Sequence, residues 1–188
     1  CFDAKGGKQL WKQTVELDKS MPTHKTNPYA GTTPLSDGKR VAVWHATGGL
    51  KCYSLDGEEL WSRDLGEFRH IWGYGTSPIL YQNRLILHSG PGERVFVTAI
   101  NMETGETIWE TEEPLEAPGS RNKAGKYQGS WSTPVIANID GKDQIIVTLN
   151  TRVNGYDPST GEILWYCKGV RHDRGDLAYS SPVVAGEF

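Results

Sequence analysis

The sequence is poor in the features that mark several common protein classes. No apolar run approaches the roughly 18 residues that a membrane-spanning helix needs, so a membrane-spanning chain is not expected. Charge of one sign is also missing: 23 acidic residues face 20 basic ones, for a net charge of −3. The basic residues are scattered rather than gathered, and nothing calls for nucleic acid as a partner. Cysteine is scarce, with only Cys1, Cys52 and Cys167 and no adjacent pair. An odd count gives no complete disulfide framework, so cysteine usage leaves the redox compartment open. His-Glu-x-x-His, a phosphate loop, a nucleophile elbow and any zinc-type His or Cys spacing are all absent.

Tryptophan and glycine are plentiful, with seven Trp and 22 Gly in 188 residues. Both follow a repeated word. Gly6-Gly7-Lys8-Gln9-Leu10-Trp11, Asp56-Gly57-Glu58-Glu59-Leu60-Trp61, Thr104-Gly105-Glu106-Thr107-Ile108-Trp109 and Thr160-Gly161-Glu162-Ile163-Leu164-Trp165 each place a Gly four residues before a Trp. Asp3, Asn101 and Asp157 stand eight residues before the Trp in three copies. Asp or Asn followed by Gly supplies the backbone of a tight hairpin turn, and Trp then falls on the outgoing strand. Successive Trp are 50, 48 and 56 residues apart, a repeat-protein spacing.

A second word keeps step with the first: Thr32-Thr33-Pro34, Thr76-Ser77-Pro78, Ser132-Thr133-Pro134 and Ser180-Ser181-Pro182 each open a short apolar run. β-rich runs such as Val41–Trp44, Val95–Ile100 and Ile145–Leu149 lie between the two words. Each unit reads as four short antiparallel strands, A to D, with the Pro word opening A and the Gly-x-x-x-Trp turn joining C to D. Four strands per unit of this length make an all-β β-propeller of four-stranded antiparallel blades. Blades are expected at 30–65, 74–113 and 130–168, with C and D strands of a preceding blade at 1–17 and the first strand of a following blade at 178–188. The expectation is a single partial propeller over 1–188, an arc of three whole and two incomplete blades from a longer chain with seven or eight. The competing geometry, a closed four-bladed ring, lacks one B strand. Cys1 matches Cys52 in the repeat frame, which favours a strand position over a lipid anchor, and both cysteines read as small packing residues.

The Asp-x-x-Thr-Gly-x-x-x-Trp word resembles the tryptophan-docking motif of the pyrroloquinoline quinone (PQQ) type β-propeller repeats. That family includes quinoprotein dehydrogenases and the lipoprotein that assists outer-membrane β-barrel assembly. The resemblance covers essentially the whole chain. Its structural anchors here are Gly7 with Trp11, Gly57 with Trp61, Gly105 with Trp109 and Gly161 with Trp165. It implies an exported protein, periplasmic or secreted, on a scaffold that hosts catalysts and non-catalytic binders alike.

If the C–D turns share one edge of the ring, the D–A and B–C loops share the other, and binding is sought there. These loops carry all five histidines. The candidate ligand-binding residues are His45, His70, Trp72, Tyr74, His88, Arg94, Arg121, Trp131, Arg152, Arg171 and His172. Aromatic rings there could stack on a planar or extended ligand while cations meet anionic groups. The alternative is that Trp72, Tyr74 and Trp131 simply cover the inner strands. Arg174-Gly175-Asp176 is too short to carry weight, and Ser89–Glu93 reads as a hairpin connection with no helix after it.

No catalytic or metal-ligating residue is assigned. The expected function is a non-catalytic module that binds or scaffolds a protein or extended polymer through its loop face, with no cofactor. Its other partners are the remaining blades or a ring-completing chain. The alternative is a fragment of a PQQ- and calcium-dependent dehydrogenase acting on alcohols or sugars. The family's eight-bladed enzymes imply a vicinal cysteine pair and a Glu, Asn and Asp calcium set; this sequence has no such pair.

Overall fold

The computed structural model describes residues 1–17, 20–27, 29, 31–113 and 120–186. Within them lie three four-stranded antiparallel sheets, each a meander in chain order. The first is β1 (Leu35–Ser36), β2 (Arg40–Trp44), β3 (Leu50–Ser54) and β4 (Glu59–Arg63). The second is β5 (Ile79–Tyr81), β6 (Arg84–His88), β7 (Phe96–Asn101) and β8 (Thr107–Glu112). After β9 (Tyr127–Ser130) comes the third, β10 (Val135–Ile139), β11 (Lys142–Thr148), β12 (Arg152–Tyr156) and β13 (Ile163–Lys168). β14 (Gly175–Ala178) follows. The chain is an all-β partial propeller of stacked blades.

Strand alternation accounts for the stacking. In β6 the side chains of Leu85 and Leu87 join the core shared with the first sheet, with Trp44, Leu50 and Phe68, while Ile86 joins Ile145, Val147 and Tyr156 of the third. β7 splits likewise: Phe96 and Ile100 face one way, Val97 and Ala99 the other. A strand with neighbours on both faces reads as a continuous apolar run, which is why Val95–Ile100 shows no polar alternation. Each such side chain contributes about 1.5–3 kcal/mol through burial.

The two repeated words are the joints between blades. Trp11 Nε1 donates to Leu55 O at 2.7 Å, Trp61 Nε1 to Met102 O at 3.2 Å and Trp109 Nε1 to Pro158 O at 3.1 Å. Each indole lies on the glycine of the next hairpin: a Cβ on Gly57 or Gly105 would come within 2.7 Å of the ring, and one on Gly161 closer still. These glycines also hold φ of +90°, +74° and +74°, so both the turn and the close approach require glycine. The residue two beyond each Trp donates to the same glycine's carbonyl: Gln13 to Gly57, Arg63 to Gly105 and Thr111 to Gly161, at 2.6–2.7 Å. In the Pro word, Thr33 N donates to Ser77 Oγ, Ser77 N to Thr133 Oγ1 and Thr133 N to Ser181 Oγ, at 2.9–3.1 Å.

Two features depart from the sequence reading. β9 and β14, from the third and fourth D–A connections, form a parallel two-stranded sheet with Tyr127 opposite Gly175 and Ser130 opposite Ala178. No parallel pair was expected, because a meander repeat gives only antiparallel neighbours; these segments come from consecutive repeats and so run in the same direction. The run after Pro182 was expected to be a strand, but Pro182–Ala185 carry no ladder, and Val183 is 90% exposed. No strand follows it among the described residues for it to pair with. At the other end the hairpin is present: Asp3 N donates to Lys8 O and Leu10 N to Cys1 O, as Asn101 N donates to Glu106 O further on.

Candidate functional site

The segments that lead into each Pro word lie side by side on the edge of the arc opposite the Gly-x-x-x-Trp turns. Asn27 Nδ2 donates to Trp72 O at 2.6 Å and to Tyr74 O at 3.3 Å, and the Tyr74 hydroxyl donates to Tyr29 O. Ile71 N donates to Ser120 Oγ at 3.2 Å, and Trp131 N to Ala178 O at 2.8 Å. Neighbouring repeats thus share one surface, and residues distant in sequence meet on it.

Five rings from three D–A connections converge there. His70 meets Trp131 edge-on with centroids 4.9 Å apart, and Trp72 lies 4.6 Å from Tyr127 and 6.0 Å from Trp131. Tyr179 stacks on Trp131 at 5.2 Å with the planes 16° apart. The Arg121 guanidinium sits 3.6 Å over the Tyr127 ring and donates to Gly125 O at 2.6 Å. Trp131 Nε1 donates to Gly73 O at 3.0 Å, which fixes the indole's orientation and leaves its polar edge satisfied. Tyr179 is 61% exposed and Ile71 40%, so the cluster reaches solvent.

His70 anchors the cluster from below. It is buried, its Nε2 donates to Gln128 O at 2.8 Å, and its Nδ1 accepts from Trp72 N at 3.2 Å. A carbonyl on one nitrogen and an N–H on the other select a single neutral tautomer. Burial lowers its pKa, with the Gln128 bond opposing. It is therefore uncharged at neutral pH and acts by position.

The other sequence candidates are dispersed. Arg171 and His172, just before β14, flank an open pocket of about 300 Å³ with Asn122, Lys126 and Asp176. Arg171 stands 3.8 Å from the Asp176 carboxylate, and His172 Nδ1 accepts from Arg174 N at 3.1 Å. His45 is half-buried at the start of a 3-10 turn over Ala46–Gly48, its pKa lowered by burial and by Lys51. Arg94 is taken up by Glu110 and Glu112 and lies 4.5 Å over Phe96. Tyr74 is buried, with its hydroxyl pKa pushed up to about 12 by burial.

His88 and Arg152 are not at the mouth. His88 ends β6, fully buried, with Nδ1 donating to Ser132 O at 3.1 Å and Nε2 without a partner among the described residues. Burial depresses its pKa to about 4. Arg152 begins β12 and donates to the buried Glu113 carboxylate at 2.6 Å; Asn154 Nδ2, at 3.2 Å, and the Tyr156 hydroxyl bond the same carboxylate. Both residues were placed in loops because a B–C connection was drawn one residue too wide on either side.

Sequence reasoning left Tyr127 and Tyr179 out of the candidate set, although both stand in the D–A connections. It missed Glu113, Asn154 and Tyr156 altogether. The signal for these was Arg152-x-Asn154-x-Tyr156, whose period of two puts three polar groups on one face of a strand packed against another blade.

Among the described residues no group of three or more His, Cys, Asp or Glu is placed to hold a metal ion. Among the described residues no helix is long and apolar enough to cross a membrane.

With that geometry in hand, a family model described as outer membrane protein assembly factor BamB matches residues 1–187. The chain belongs to this family of PQQ-like propellers. A curated relative, outer membrane protein assembly factor BamB from Burkholderia pseudomallei, is 24% identical over 98% of this chain and 54% of its own length. The chain thus spans about half of that relative. Among solved structures, quinohemoprotein alcohol dehydrogenase from Comamonas testosteroni is similar over 69% of this chain and 26% of its own, at 17% identity and TM-score 0.50. The computationally designed Ika4 protein is similar over 94% of this chain and 89% of its own, at 14% identity and TM-score 0.50. At such identities these two likenesses speak for the fold.

Proposed function

We propose that this chain is a non-catalytic binding and scaffolding module that holds a protein segment on its loop face, in the periplasm or outside the cell. One observation carries the reading. The rings of His70, Trp72, Tyr127, Trp131 and Tyr179 form a bridged cluster across three consecutive connections, and its outermost member is 61% exposed. Rigid aromatic rings present large contact area at little entropic cost and dominate interface energetics, with Arg beside them. Arg121 over Tyr127 completes that pattern. The relative named an outer membrane protein assembly factor supports a protein partner and work on outer-membrane proteins. A cofactor has no part in this reading.

The test is a photo-reactive amino acid placed at Tyr179 or, as control, at Lys142 on the opposite edge of the arc, in bacterial cells that make the protein. Defined cross-links to outer-membrane assembly proteins from position 179 and none from 142 are expected. Equal labelling from both positions, or none from 179, would count against the loop face.

A further inference from the structure

The two connections that carry Tyr127, Trp131 and Tyr179 also bring a surplus of positive charge to the loop edge. Positions 121–126 and 168–176 hold six cations, Arg121, Lys123, Lys126, Lys168, Arg171 and Arg174, against the carboxylates of Asp173 and Asp176, in a chain whose net charge is −3. The parallel pairing of β9 with β14 sets these segments side by side. Tyr127 stands opposite Gly175, so Lys126 and Arg174 form the next pair back along the two strands. Like charges opposed in this way destabilise each other. Among the described residues Lys123, Lys126 and Arg174, all exposed, have no ion pair. Arg171, its side chain 71% exposed, stands 3.8 Å from the Asp176 carboxylate and can turn to a new partner without giving up a close pair. Between the two segments opens the pocket of about 300 Å³ that Lys126, Arg171 and His172 line together with Asp173 and Asp176. Three of the Gly-x-x-x-Trp turns on the opposite edge carry charge of the other sign, the exposed Asp56, Glu58, Glu103, Glu106 and Glu162.

On the footing that the loop face binds a protein segment, we propose that this segment is acidic: its aromatic or aliphatic side chain lies on the rings of Tyr127, Trp131 and Tyr179, and an adjacent or next-but-one carboxylate meets Lys126, Arg171 and Arg174. Lys126 directly precedes Tyr127, and consecutive Cα atoms are about 3.8 Å apart. The Arg121 guanidinium lies over that same ring. An extended segment therefore reaches ring and cation with neighbouring side chains. Arginine takes a carboxylate through two parallel N–H bonds, and the anion relieves the repulsion between Lys126 and Arg174. The acidic turns turn such a segment away from the opposite edge, so the field of the molecule steers it to the loops.

Fluorescence anisotropy with three labelled decapeptides tests this, one alternating Glu and Tyr, one Gln and Tyr, and one Lys and Tyr. The chain is titrated beside the double variant Lys126→Glu with Arg171→Glu, beside Tyr179→Ala, and beside Lys142→Glu as control on the opposite edge. The Glu–Tyr peptide should bind, and the Lys–Tyr peptide should not. The double variant should weaken Glu–Tyr binding by about tenfold or more, as should a rise from about 50 mM to about 200 mM salt, while Lys142→Glu leaves it unchanged. If circular dichroism shows that the charge reversal disturbs folding, Lys126→Gln with Arg171→Gln takes its place. Glu–Tyr binding that is no tighter than Gln–Tyr binding, or that the folded double variant keeps, overturns the acidic segment. Gln–Tyr binding that Tyr179→Ala abolishes would then leave the loop face as a protein-binding surface without a charge preference. Binding of none of the three peptides overturns both.

Discussion

Single residues carry unequal weight in this arc. Trp109 is 8% exposed, docks on Gly161 and donates to Pro158 O, so it joins the second and third blades by packing and by a hydrogen bond. Trp109→Ala should lower stability by about 3–5 kcal/mol, as deletion of a buried large aromatic does; equilibrium urea denaturation measures it, and a loss below about 1 kcal/mol would deny the Trp its role. His88 gives a pH dependence with a definite sign. Its folded-state pKa of about 4 lies below the ordinary 6.5 because burial opposes the charge. Its neutral form is therefore fully stabilising above pH 6.5, and stability falls as pH drops from about 6.5 towards about 4, by on the order of 3 kcal/mol. His45 and His70 are shifted in the same direction and add to the slope. Urea midpoints between pH 7 and pH 4 should fall more steeply for the wild type than for His88→Gln. Parallel slopes would remove His88 from the account.

At the scale of elements, the joint between the second and third blades holds a polar lock as well as an apolar core. Glu113, just past β8, is bonded by Arg152, Asn154 and Tyr156 of β12, all of them buried. Glu113→Ala would leave the Arg152 charge buried without its partner and should lower stability by about 3–5 kcal/mol. Glu113→Gln keeps the shape and an acceptor and should lose less, and chemical denaturation of the two variants ranks them. Equal losses would mean that the carboxylate charge, and not the shape and acceptor that Gln keeps, is what Arg152 requires. The same elements show what a sequence can reveal. The Gly-x-x-x-Trp and Pro words were legible because each is local, a turn and the strand after it, and recurrence four times raised it above chance. The lock was not legible: Glu113 follows one repeat and its partners sit in the next, and no local pattern says which polar groups will face each other across a blade joint. The parallel β9–β14 pair was hidden for the same reason, since it joins Tyr127 to Gly175 across most of a repeat.

At the scale of the whole molecule, stacking of blades in one direction gathers the described parts of the D–A connections on one edge, and that edge carries the aromatic cluster. That the D–A connections share an edge was legible in the strand order; which of their rings meet was not. Of the eleven loop-face candidates, His70, Trp72 and Trp131 meet in the ring cluster, with Arg121 held on Tyr127 beside it. Arg171 and His172 line a separate pocket, and His88 and Arg152 are turned inward. Composition cannot distinguish a loop histidine from the last residue of a strand, and a shift of one position inverts the face a side chain takes. We propose that this edge holds a protein segment without the help of a quinone. The most direct measurement is a calorimetric titration of the folded chain with PQQ, with and without calcium. No saturable heat in either condition is the predicted result; calcium-dependent, saturable binding would contradict the claim and turn attention to Trp131 and Arg121 as surroundings of a cofactor.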